Sequence, residues 1–248
     1  MAERTDAARR ERLDRERVLR AAVALADQDG IDAVSMRRLA QVLGVVPMAL
    51  YKHVAHKDAL LDGMVDAVLG EIDAPDPTVG WAEAVRARIL SAREVMLRHP
   101  WARRVMESRD APTPVVLAYM DSTIGTFLAG GLSVDLVHHA MHALGSRIFG
   151  FTQELYDTAP GPTPDELAAL GPDAQAALQQ LAAAFPNVVT VATSRPHDPG
   201  SIVGPGCDDR FEFEFGLDLL LGGVERLHRR GWSSAGSAAH GRTTIRPV

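Results

Sequence analysis

The sequence predicts an all-α protein, and three observations predict it. Apolar residues recur at i, i+3, i+4 and i+7 through most of the 248 residues. No stretch alternates apolar and polar side chains as a half-buried strand does, and glycine or proline punctuates the chain at helix-length intervals. The expected organisation is a small three-helix unit over 13–72 and a larger helical unit over 80–231, with 1–12 and 232–248 disordered.

Residues 1–12 are charged and nearly free of large apolar side chains, which makes a mobile arm. From Asp14 onward, Val18, Ala21, Ala22, Leu25 and Ala26 share one face of a helix that Gly30 stops. Ser35 is an N-cap for a short helix carrying Met36, Leu39, Ala40 and Leu43. After Gly44, the stretch Val45 to His53 allows a third helix of about two turns. His56 or Lys57 opens a fourth, with the stripe Leu60, Leu61, Met64, Val65, Val68, Leu69 and Ile72.

Asp73 to Gly80, with Pro75 and Pro77, breaks the pattern and is the expected boundary. Trp81, Val85, Ile89, Ala92 and Met96 then mark a helix ended by His99-Pro100. Val116, Met120, Ile124, Phe127 and Leu128 mark another, ended by Gly130-Gly131, and Leu136 through Phe151 a third. Thr158 to Pro164 and Ala192 to Asp209 read as Pro/Gly-rich loops, and Gly171-Pro172 splits the helical region between them. Phe211 to Arg230 is a last helix, apolar nearly all round.

Apolar residues make up 46% and charged residues 23%, an ordinary globular balance that excludes a wholly disordered chain. Cys207 is the single cysteine, so neither an intramolecular disulfide nor a cysteine zinc cluster is expected. No apolar run approaches the roughly 18 residues a membrane span needs, and the Arg/Glu-rich start has no signal-peptide core. A cytoplasmic protein with no membrane partner is expected. The net charge of −6 would argue against nucleic acid, but its distribution matters more than its sum. Residues 1–60 carry 11 Lys/Arg against 9 Asp/Glu, so the acidic excess lies in the remainder.

Two short helices joined by a tight glycine turn make a helix-turn-helix, in which the second helix enters a major groove about 12 Å wide while the first braces it. Here Leu39, Ala40, Leu43, Val45 and Leu50 would hold the pair together. Arg37, Met48, Tyr51, Lys52 and His53 would face outward, beside Lys57. That mixture of hydroxyl, ammonium and imidazole donors suits phosphate contact.

These residues resemble the DNA-binding domain of tetracycline-repressor (TetR-type) regulators. The matching pieces are Ala21-Ala22-x-Ala24-Leu25, Gly30-Ile31, Ser35 to Ala40, Leu43-Gly44-Val45, Ala49 to Val54 and Lys57-x-x-Leu60-Leu61. The stretch Phe211 to Leu221 is similar to the last helix of the tetracycline-repressor C-terminal class, which in that family belongs to a four-helix dimer interface. The resemblance implies that Arg37 reaches a base edge and that Pro47, Met48 and Lys52 lie on the recognition helix. It also implies phosphate contacts from Ser35, Tyr51, His53 and Lys57. Pro47 and Met48 offer only apolar contact, for example to a thymine methyl.

The segment Gly145 to Gly150 sits where the C-terminal class has a pocket helix. The tetracycline repressor would place a magnesium-binding histidine near Ser146; serine stands there, so no metal and no cofactor is expected. Candidate pocket residues are Met106, Tyr119, Phe127, His142, Ser146 and Phe149. Candidate dimer contacts are Phe215, Leu217, Leu220 and Val224. His138, His139 and His142 include an i, i+4 pair with metal spacing but no evident third ligand, so core or pocket roles are expected. Arg147 and Asn187 read as pocket polar groups or structural pairs.

The expected function is a ligand-responsive transcriptional repressor, a homodimer on a double-stranded, palindromic DNA operator, released by a small, largely apolar effector. The alternative is a DNA-binding activator or architectural protein without an effector. An enzyme finds no support: there is no G-x-S-x-G, H-E-x-x-H or P-loop.

Overall fold

A computed structural model describes residues 13–150, 169, 171–193 and 209–235, with 148–150, 178, 181, 188, 191–193 and 209 described by backbone only. Among the described residues there are eleven α-helices and no strand. They are α1 (Arg15–Asp29), α2 (Met36–Leu43), α3 (Pro47–Leu50), α4 (Lys57–Leu69), α5 (Trp81–Arg98), α6 (Ala102–Glu107), α7 (Pro114–Ala129), α8 (Val134–Gly150), α9 (Pro172–Ala184), α10 (Pro186–Thr193) and α11 (Asp209–Arg229). The all-α expectation is met. The arm 1–12, the 158–164 loop, Cys207 and the end of the tail lie outside the described residues, as does nearly all of the 192–209 loop.

Local chemistry sets the first helices. Asp14 caps α1 by accepting from the Arg17 amide at 2.8 Å, and Val18, Ala22, Leu25 and Ala26 are buried along one face. Ser35 Oγ accepts from the Arg38 amide at 3.2 Å and starts α2. Gly44 ends it in the left-handed region at φ 67, a conformation that costs a side chain with Cβ about 1 kcal/mol or more. Pro47 opens α3, where its missing N–H would have no partner anyway.

α3 is one turn long rather than two. It continues as turns through His53, with Val54 N–H still donating to the Leu50 carbonyl at 3.0 Å. The helix cannot run on because His56 is extended and caps α4, its Nδ1 accepting from the Ala59 amide at 3.1 Å.

The described residues divide into two compact units, one holding those up to His142 and from Val224 on, the other those from Ala143 to Gly223. In the first unit, α1 packs on α2 and α4, α2 on α3, and α4 on α5, α6 and α7. α1 and α4 cross closely: a Cβ at Gly63 would lie 2.7 Å from Leu19 Cδ2, so any larger residue there would require the Leu19 side chain to move. The 73–80 break separates helices in sequence but not in packing. Val95, Trp101, Ala102 and Val105 join Val18, Leu39, Leu50, Leu60 and Met64 in one buried cluster. The six-residue α6, between His99-Pro100 and the next helix, was not expected from the sequence.

Candidate functional site

The helix-turn-helix segment has a closed interior and a solvent-exposed outer face. Leu39, Ala40 and Leu50 are buried, while Leu43 and Val45 are half-buried and pack against the same cluster. Ser35, Arg37, Pro47, Met48, Tyr51, Lys52 and Lys57 are exposed, and His53 is half-buried. Met48 reaches 72% exposure, Val46 beside it 66%. The side chains of Arg37, Tyr51, Lys52, His53 and Lys57 make no hydrogen bond or ion pair with the described residues.

Their neighbours contrast with this. Arg20 is held by Glu16 at 2.9 Å, and Arg38 lies 3.7 Å from Asp29. Ser35 accepts through one lone pair as the α2 cap, which leaves its hydroxyl proton to donate outward. Ser35 and Lys57 also stand at the N-terminal ends of α2 and α4, where exposed amides and the helix dipole favour an anion. Pro47 and Met48 begin α3 with no polar atom to offer a base edge.

A second set of side chains, which the sequence did not point to, fastens this segment to the helices after residue 80. Asp27 on α1 lies 2.8 Å from His99 Nδ1 and accepts from Trp101 Nε1 at 2.6 Å. His99 and Trp101 are both buried. Glu71 lies 3.3 Å from His99 Nε2 and accepts from Arg98 at 2.8 Å. The Arg98 hydrogen bond holds the Glu71 carboxyl below its usual value against the opposing effect of burial, with His99 adding to the lowering. Arg104 grips both carboxylate oxygens of Asp32, at 2.9 and 3.1 Å. Arg109 bridges Asp58 at 3.1 Å and Asp62 at 2.7 Å, chiefly the Asp58 bond raising its pKa further. Thr113 donates to Asp66 at 2.5 Å. No periodicity marks such residues, because each partner is remote in sequence and reads alone as a solvated charge.

The candidate pocket residues have separate surroundings. Met106 packs, half-buried, on the core cluster around α1 and α4. Phe127 is fully buried, its ring 5.5 Å from Trp81. Tyr119, also on α7, lies under the Arg88 guanidinium at 4.4 Å; burial pushes its phenol up, with Arg88 pulling the other way. His142 and Ser146 are exposed on α8, with the His142 ring 4.7 Å from His138. The Phe149 side chain lies outside the described residues. Among the described residues, no three His, Cys, Asp or Glu are placed to hold a metal ion. In the second unit, Arg147 donates to the Glu212 carbonyl and stacks 5.1 Å over Phe213, a structural pairing.

The candidate dimer residues split between two faces of α11. Leu217 and Val224 are buried within the chain, so among the expected dimer contacts they present little surface to a partner. Leu220 is half-buried. Phe215 is 53% exposed, and with Phe211 at 50% and Leu219 at 62% it forms a stripe at i, i+4 and i+8. The Phe211 and Phe215 rings stack 6.3 Å apart beside Arg210, Glu214 and Asp218. Phe211 and Leu219 were not among the expected contacts; an exposure pattern cannot be separated from a core pattern when a helix is apolar on all sides.

Residues 18–64 match the family model for bacterial regulatory proteins of the tetR family, and residues 74–228 match the tetracyclin repressor-like C-terminal domain. The chain belongs to the TetR family. A curated HTH-type transcriptional regulator of Saccharopolyspora erythraea is 34% identical over 139 residues, and the HTH-type transcriptional repressor DrrR1 of Streptomyces coeruleorubidus is 35% identical over 120. These alignments take in 56% and 48% of the chain, and span 59% and 44% of those relatives' own lengths. The crystal structure of the TetR family protein ActR from Streptomyces coelicolor, in complex with actinorhodin, superposes with a TM-score of 0.63 at 30% identity. It covers 86% of this chain and 97% of ActR. Among the described residues of this TetR-family chain, no helix is long and apolar enough to cross a membrane.

Proposed function

We propose that the chain is a cytoplasmic, homodimeric transcriptional repressor that binds a palindromic DNA operator and is released by a small, largely apolar effector. The observation that carries this reading is the set of five donor side chains, Arg37, Tyr51, Lys52, His53 and Lys57, that have no partner among the described residues and sit on a helix-turn-helix whose own interior is closed. Two such heads, set by a two-fold axis, would meet half-sites about 34–36 Å apart. Self-association would use the Phe211, Phe215 and Leu219 stripe, with Leu220 at its edge. In function the reading assigns 13–72 to DNA and 80–231 to effector and partner.

Support for an effector comes from the ActR complex with actinorhodin, and support for repression from the repressor name carried by the DrrR1 relative. The polar contacts from Asp27, Asp32, Asp58, Asp62 and Glu71 to residues beyond position 80 give a route for coupling. A shift of α6 or α7 would be felt directly by α1 and α4. Ligand and operator would then weaken each other by one common factor, typically 5–150-fold.

The test is fluorescence anisotropy with DNA from the chain's own promoter region. Saturable binding with two protomers per site, relieved by a small molecule, supports the reading. Binding that no effector relieves would favour an activator or architectural protein instead.

A further inference from the structure

Arg88, in the middle of α5, is only 6% exposed. A buried arginine ordinarily faces a carboxylate, because an uncompensated charge out of water is costly. Among the described residues Arg88 does not face one. One terminal amino group donates to Ser122 Oγ at 3.2 Å, and the other reaches the Tyr119 carbonyl at a long 3.4 Å. Its Nε–H is shielded from solvent and has no hydrogen-bond partner among the described residues, while the guanidinium face lies 4.4 Å from the Tyr119 ring.

None of these neighbours is an anion. The Tyr119 phenol is pushed up by burial and stays neutral at physiological pH. Thr123 spends its hydroxyl on the same Tyr119 carbonyl at 2.9 Å. The acidic residues of these two helices, Glu83, Glu94 and Asp121, are exposed and form no ion pair with Arg88. The contrast with the rest of the first unit is sharp. Arg98, Arg104 and Arg109 are all more exposed than Arg88, and each is matched to a carboxylate.

The unused Nε–H and the weakly engaged terminal amino group lie on one edge of the guanidinium, the edge that takes a carboxylate by two parallel hydrogen bonds. Ser122 is exposed, so the Arg88 nitrogen bonded to it lies at the solvent edge of the site, with a hydroxyl at hand to donate.

We propose that Arg88 anchors the acidic group of the effector, a largely apolar molecule carrying one carboxylate or ionised phenol or enol oxygen, with Ser122 as a second donor. This rests on the effector-released reading above and narrows it from an apolar ligand to an apolar acid. The missing counterion of Arg88 is then supplied by the ligand, so the free protein carries an electrostatic cost that binding relieves.

The test compares acids with their neutral isosteres on the full chain. 2-Naphthoate and 4-biphenylcarboxylate are titrated beside 2-naphthamide and 4-biphenylcarboxamide at fixed ionic strength, by calorimetry and thermal shift. The acids are expected to bind about tenfold tighter than the amides, or more, as a charge-assisted hydrogen-bonded pair implies. Arg88→Gln erases that preference and Arg88→Lys keeps part of it. Equal binding of acids and amides, no binding of either acid up to about 10 mM, or a preference that survives Arg88→Gln would overturn the proposal; the unmutated comparison decides even where a variant fails to fold. Operator affinity is read in the same samples. Acids that bind through Arg88 and leave the operator bound uphold the anchor and remove the effector-release reading. Release by amides as readily as by acids overturns the anchor and leaves that reading standing.

Discussion

Exposed apolar side chains occur both around α3 and along α11, and the two places differ in pattern. Around α3, Val42, Val46 and Met48 are exposed singly, interspersed with Arg37, Tyr51 and Lys52. Along α11, Phe211, Phe215 and Leu219 recur every fourth residue and form one continuous stripe. Scattered apolar atoms among unpartnered donors fit a groove whose walls are phosphates and whose floor carries methyl groups. A periodic stripe fits a second copy of itself across a two-fold axis. Under the proposed function, exposed apolar side chains would serve different partners in the two places, and their spacing would distinguish them.

That comparison can be broken most forcefully on α11. Leu217→Ala is expected to cost the protomer about 2–5 kcal/mol, because its side chain is fully buried and a cavity would remain. Phe215→Ala, two residues earlier but exposed, is expected to change protomer stability by under about 0.5 kcal/mol while weakening self-association. Urea unfolding and sedimentation would separate the two effects. If Phe215→Ala left the dimer intact, the stripe would not be its interface.

Around α3 the expected losses are smaller and fall on binding. Arg37→Ala should cost about 1–3 kcal/mol of operator affinity and relax preference at one base pair, read by competition with single-base operator variants. Lys57→Ala should weaken all sequences alike and reduce the slope of log affinity against log salt by about one unit. Equal salt slopes before and after would remove Lys57 from the phosphate contacts.

The smallest effect concerns pH. The folded Glu71 carboxyl is held below its usual value of 4.5, first by Arg98 and then by His99. A depressed folded pKa adds stability above the unfolded value, and that stability is lost as pH falls through the folded one. The unmutated protein should therefore lose more stability than Glu71→Gln on acidification below about pH 4.5, measured as urea midpoint against pH.

Much of the fold was legible because its signals are local. Asp14, Ser35 and Gly44 mark helix ends by what their own backbone and side chain can do, and they stand where the chain starts and stops its first helices. The outward set from Arg37 to Lys57 was legible for the same reason, since a short helix pair has few faces to choose from. α6 was missed because six residues carry too few periods to read, and α3 was overextended because the cap that halts it, His56, belongs to the next helix. Asp27, His99 and Trp101 gave no sign, since their meaning lies in contacts across more than seventy positions. Arg88 was invisible as well: that a cation lacks a counterion is a fact about space, not about spacing.

The shared core of α1 to α6 bears on how this protein could be re-engineered. Exchanging the DNA-reading head between regulators is usually planned at a linker, and the proline-bearing 73–80 stretch looks like the place to cut. A graft cut there would leave behind Val95, Trp101, Ala102 and Val105, which complete the interior beneath the head, and His99, which holds Asp27. A chimera joined after Glu107 keeps that interior together and should melt more cooperatively than one joined at Gly80.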